Sequence, residues 1–140
     1  MWLSIELSAQ KIAVLSNSVL SMLYAVDGKA ISRANTTDKL APELEALPAL
    51  GQTANINMEQ LLGLKPDVVL GLVNQHKKYE SQLQANNIPT VLFDYDGIKD
   101  NVPMLTFLGE LTNHQDKAKS VITTYENNIT KVKDAVKNQQ

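Results

Sequence analysis

Asp94 and Asp96 flank Tyr95 just beyond an apolar, β-branched run, the place where open parallel sheets bind ligands. An acidic pair there could hold a metal or serve acid–base chemistry, and it could equally solvate a turn with Gly97. The two histidines, His76 and His114, add little, because neither has a second histidine or an acid at zincin spacing. Cysteine is absent, which excludes disulfides, thiolate metal sites and cysteine nucleophiles and leaves the redox compartment open. The six glycines build neither a Walker A loop nor a G-x-G-x-x-G turn, and no serine sits in a nucleophile elbow. Catalytic signals in the side chains are therefore poor. No catalytic residue, resident metal or cofactor is expected.

The elements that must carry these residues alternate between strand and helix. Ile12 to Leu15 is a short apolar strand, and Ser16-Asn17-Ser18 suits the cap of a helix from about Val19 to Val26, stopped by Asp27-Gly28. Ala30 to Ser32 is a second strand candidate. From Arg33 to Thr53 the pattern is irregular, with Pro42 and Pro48 bracketing a short helix through Glu43 to Leu47. Asn57 then caps a helix bearing Met58, Leu61 and Leu62, which Pro66 terminates by forbidding continuation and pushing Lys65 out of the helical region. Val68, Val69 and Leu70 form an apolar run typical of a strand covered on both faces. Gln75 to Asn86 is expected to be one surface helix, and Thr90 to Phe93 the next strand. Such alternation implies βαβ units and an α/β fold with a Rossmann-like parallel sheet and helices on both faces.

The last third is helical. Val102 to Leu111 places Leu105, Leu108 and Leu111 on one face with Pro103 in the first turn, and Thr112-Asn113 interrupts it. A long C-terminal helix from about Gln115 to Lys137 then carries Ala118, Val121, Ile122, Tyr125, Ile129, Val132 and Val136 at spacings of three and four. It would be roughly 30 Å long at 1.5 Å per residue. Its seam is expected to be covered by the preceding sheet domain, since about two heptads is too little to prefer a coiled coil.

At 140 residues and 44% hydrophobic, the chain can bury one core, so a single α/β unit over residues 11–113 followed by the helix of 114–140 is the expected organisation. The net charge of −2, with scattered lysines, gives no reason to expect nucleic acid. No segment has the length of a membrane-spanning helix. Residues 1–10, MWLSIELSAQ, lack a basic n-region and read as a leader or expression remnant rather than an intact signal peptide. The protein is then either intracellular or separated from an export signal.

Four blocks in order, KIAVLSNSVLSMLYAVDG, NINMEQLLGLKPDVVLG, LQANNIPTVLFD and LGELTNHQDKAKSVITTYE, resemble the first lobe and connecting helix of the periplasmic binding proteins for cobalamin, iron–siderophore and haem. The resemblance implies a class III lobe, a long backbone helix, and ligand held in a cleft between two lobes. The second lobe would begin with a strand after the long helix, and it is absent from these 140 residues. The implied role is the substrate-binding component of an ABC importer, in the periplasm or otherwise outside the cytoplasm, associated with the membrane through its transporter. One lobe offers an open face and would bind weakly. Two chains could pair through that face or along the long helix as a homodimer. The alternatives are an orphan lobe serving assembly, or a chelate-handling enzyme on the same fold using Asp94, Asp96 or His76.

By resemblance, Glu59 matches the carboxylate that docks on an arginine pocket of the permease. The bland reading is a first-turn glutamate that favours the helix dipole. Ligand contacts are expected where strands end: Ser16 and Asn17, Arg33 and Asn35, Gln75 and His76, and Tyr95. Arginine would suit an anionic iron chelate, and a haem would look to His76 or Tyr95 for an axial donor. Each has an alternative: Ser16 and Asn17 as caps, Arg33 paired with a local acid, Tyr95 as packing, His76 as a solvent-facing loop residue.

Overall fold

A computed structural model describes residues 11–37, 39–96 and 98–138; residues 1–10, read above as leader or remnant, and Gly97 lie outside the described residues. The chain runs β1 (Ile12–Val14), α1 (Asn17–Ala25), α2 (Pro42–Glu45), β2 (Gly51–Gln52), β3 (Asn55–Ile56), α3 (Met58–Gly63), β4 (Val68–Leu72), α4 (Val73–His76), a 3-10 turn Lys77–Tyr79, α5 (Glu80–Ala85), β5 (Thr90–Phe93), a 3-10 turn Ile98–Asp100, α6 (Asn101–Leu111) and α7 (Gln115–Asn138). The main sheet has the order β1-β4-β5 with both pairings parallel, and β2 and β3 form a separate antiparallel hairpin.

Alternation along the strands explains the two cores. Ile12, Val14, Val68 and Leu70 face a cluster with Val19, Leu20 and Leu23 of α1 and Met104, Leu105 and Leu108 of α6. Ala13, Leu15 and Val69 face the other way, against Leu50, Ile56, Leu61 and Leu83. The apolar runs are continuous because both faces are covered, as a parallel sheet requires. The expected α/β sheet with helices on both faces and a long C-terminal helix is the fold observed.

Helix ends follow the chemistry of the chain. Asn57 Oδ1 accepts the Gln60 amide at 3.0 Å, and Ser16 Oγ accepts the Ser18 amide at 3.2 Å. Asp27, Asn87 and Asn113 take positive φ just past α1, α5 and α6, a conformation that short polar side chains tolerate. Lys65 leaves the right-handed region too, with φ 52°, ahead of Pro66.

Three expectations are corrected. Ala30 to Ser32 is not a strand: the Ile31 amide donates to the Ile12 carbonyl, but Ser32 Oγ then accepts from the Val14 amide at 2.9 Å and donates to the Val14 carbonyl at 3.2 Å. A side chain has taken the place of the ladder. Gln75 to Asn86 is not one surface helix but α4, a 3-10 turn and α5, and Leu83 is wholly buried. The seam of α7 is covered only in part. Ala118 is buried and Val121 and Ile122 pack on the core, whereas Val132 is 61% exposed, because a straight rod outruns a small domain. The hairpin β2–β3, whose first strand lies in the region read as irregular and whose second follows it, was not anticipated.

Candidate functional site

Parallel pairing brings the carboxyl ends of β1, β4 and β5 to one end of the sheet, and with them the segments that start at Leu15, Val73 and Asp94. Asn17 organises this end. Its Nδ2 donates to the Ala34 and Asn35 carbonyls, both at 3.2 Å, and its Oδ1 accepts the Ala34 amide at 3.2 Å. Asn35 is exposed, and its amide donates to the Gly51 carbonyl. Among the described residues Arg33 spends its donors on carbonyls: Nε to Leu44 at 3.0 Å, Nη1 to Ala34 at 3.1 Å and Nη2 to Glu45 at 3.4 Å. It thus caps the carbonyl end of α2.

Two of the expected ligand contacts are withdrawn from the surface. Ser16 is 2% exposed, and its hydroxyl caps α1. His76 is neither a solvent-facing loop residue nor an available ligand: it is 0% exposed, its Nδ1 accepts the Leu72 amide at 2.9 Å and its Nε2 lies 2.7 Å from the Thr53 carbonyl. An amide can only donate, so Nδ1 carries the lone pair and Nε2 the proton. Burial is the main cause that holds its pKa below the ordinary value, with the Lys78 ammonium acting in the same direction. Neither nitrogen is free to serve as an axial donor.

Gln75 is half-buried beside exposed Asn74, and Tyr95 is half-buried against the core. Asp94 and Asp96 are exposed, the Asp96 amide donates to Asp100 Oδ2 at 2.7 Å, and Lys99 Nζ lies 3.7 Å from Asp96 Oδ2. Asp96 is thus tied to the 3-10 turn Ile98–Asp100 that leads into α6. Among the described residues no group of three or more His, Asp or Glu side chains is placed to hold a metal ion.

Glu59 is exposed in the first turn of α3. The amide of Asn57, its cap, donates to the Leu50 carbonyl at 2.7 Å, so the hairpin directly sets where this helix begins. Beside the loop after β5, Lys99 and Val102 form a groove of about 340 Å³ with Tyr125, Glu126, Ile129 and Thr130 of α7. Sequence reasoning had placed Tyr125 and Ile129 in the helical seam and did not single out Lys99. Nothing in the spacing indicated that the seam would face this loop.

The periplasmic binding protein family matches residues 12–140 of the chain. The chain belongs to the periplasmic binding protein family. A vitamin B12-binding protein of Pectobacterium carotovorum is 25% identical over 126 residues, covering 89% of this chain and 46% of the relative. A probable siderophore-binding lipoprotein of Bacillus subtilis is 26% identical over 144 residues, covering 97% of this chain and 43% of the relative. An ABC transporter substrate-binding protein from Listeria monocytogenes has a crystal structure that superposes with TM-score 0.83 at 17% identity, covering 95% of this chain and 52% of that one. This periplasmic binding protein chain therefore spans somewhat under half the length of the curated relatives it matches. The two curated relatives are named for binding vitamin B12 and a siderophore, and the Listeria protein for binding a substrate.

Proposed function

We propose that this chain is the N-terminal lobe and connecting helix of the substrate-binding component of an ABC importer, acting outside the cytoplasm on an iron chelate such as a ferric siderophore, or on haem or cobalamin. The observation that carries the reading is the family match over residues 12–140, joined to a sheet whose carboxyl-end loops share one end. On this reading residues 11–113 are the lobe and 114–140 the backbone helix. Ligand meets the exposed or half-buried groups at the ends of the strands, Asn17, Asn35, Gln75 and Tyr95, while Arg33 holds the carbonyl end of α2. Glu59 engages a permease arginine, a contact whose bidentate geometry sets orientation as well as attraction.

The test is a thermal-shift series with ferric hydroxamate and catecholate complexes, haemin and cobalamin. A ligand that prefers the folded state raises the melting temperature in proportion to its saturation. A shift with one class supports the reading and names the ligand. No shift with any of them, up to their solubility limits, counts against ligand binding by this lobe.

A second reading, self-association, is favoured by the apolar outer seam of α7, where Val132 stands 61% exposed. Sedimentation showing monomer alone at high micromolar concentration would exclude it.

A further inference from the structure

Three side chains from the segment after β4 grip the hairpin that precedes α3. His76 Nε2 donates to the Thr53 carbonyl at 2.7 Å, Lys78 Nζ to the Ala54 carbonyl at 2.7 Å, and Tyr79 Oη accepts the Ile56 amide at 2.9 Å. The imidazole also stacks on the Tyr79 ring, with centroids 6.4 Å apart. Of the three, only His76 reaches in both directions, because its Nδ1 holds the Leu72 amide where β4 turns into α4. The sheet makes room for it. A Cβ on Gly71 would lie 2.7 Å from Nδ1, closer than real contacts allow, so this position must lack a side chain for the ring to sit where it does.

We propose that His76 is a positioning residue that fastens the hairpin β2–β3, and with it the start of α3, to the carboxyl end of β4 and the α4 that follows it, so that the Glu59 helix and the Val73–Gln75 segment move as one body. The connection passes through few atoms: α4, Leu72 amide, imidazole, Thr53 carbonyl, hairpin, Asn57 cap, Glu59. Its meaning for transport rests on the function proposed above, but the mechanical link stands without it. Imidazole suits this place because it offers one acceptor and one donor on a rigid ring, and burial keeps it in the neutral form that has both.

Amide hydrogen exchange of the whole chain, followed residue by residue by NMR near pH 7, tests this without ligand or transporter, so a failure of the transport reading would leave the result untouched. In His76→Ala, the Leu72, Ile56 and Asn57 amides are expected to exchange about tenfold faster, while the Leu15 and Val69 amides within the sheet stay within about twofold. His76→Gln, which retains a donor near the Nε2 position, should restore protection at Ile56 and Asn57. Gly71→Ala keeps the imidazole but crowds Nδ1, and should open the same amides should His76→Ala not fold. In the unaltered protein the nitrogen spectrum should show a lone-pair Nδ1 and a protonated Nε2. Acceleration confined to Leu72, uniform acceleration across the sheet, or the opposite tautomer would each overturn the proposal.

Discussion

Gly109 and Ala118 meet at the crossing of α6 and α7 so closely that a Cβ on Gly109 would lie 2.5 Å from the Ala118 Cβ and 3.3 Å from the His114 carbonyl. The long helix leaves the domain in the direction this contact permits. Gly109→Ala must push the two helices apart, and overpacking of this kind costs roughly 1–3 kcal/mol. Urea denaturation should register that loss, and pairing the change with Ala118→Gly should recover much of it. Strictly additive effects in the double-mutant cycle would show that the two residues do not share one constraint.

Ser32 substitutes for a strand by satisfying both backbone groups of Val14. Ser32→Ala leaves a buried amide without a partner, at a cost of about 1–3 kcal/mol. Calorimetry is expected to find the melting temperature several degrees lower, with the far-ultraviolet spectrum unchanged at room temperature. An unaltered melting temperature would mean that another donor and acceptor serve Val14.

His76 carries a pH dependence of known sign. Its pKa in the folded protein is lowered from the ordinary 6.5, chiefly by burial and further by Lys78, the charged group that faces it alongside the Tyr79 phenol. The unfolded chain therefore binds the proton first as pH falls. Stability is fully present above about 6.5 and declines below it, with a slope of at most about 1.4 kcal/mol per pH unit. The difference in unfolding free energy between the unaltered chain and His76→Gln, followed from pH 7.5 down to about 5.5, should shrink steadily. A constant difference across that range would contradict a depressed pKa.

Glu59 is exposed and in the first turn of a short helix, so Glu59→Gln should cost well under about 1 kcal/mol of stability. Placed in a two-lobed context with its importer, the same substitution is expected to weaken coupling. Uptake at the original rate would refute the docking assignment.

Much of the fold was legible because its signals are local. The run Val68-Val69-Leu70 between Pro66 and the next polar stretch announces a strand covered on both faces, and Asn57 announces the start of α3 three residues before the amide it caps. Asp27, Asn87 and Asn113 mark the helix ends because short polar side chains accept positive φ. Ala30 to Ser32 misled because β-propensity registers an extended segment but not a serine that replaces its ladder bonds. The break within Gln75 to Asn86 was hidden for a related reason. His76 and Tyr79 leave helical spacing to reach a hairpin more than twenty residues earlier in the chain, and no periodicity encodes that.

What the amino-acid order determined by itself was the alternation of buried strands and capped helices, since periodicity, proline and short polar caps act within a few residues. It also marked the strand-end residues as candidates, whereas Glu59 became one only through the family resemblance. Which of those residues remain at the surface was decided only by tertiary packing. Ser16 and His76 were drawn inward, where they satisfy backbone groups of Ser18, Leu72 and Thr53, whereas Asn35 stayed outside. A buried amide or carbonyl must find a partner wherever the fold brings one, and that partner need not be near in the chain.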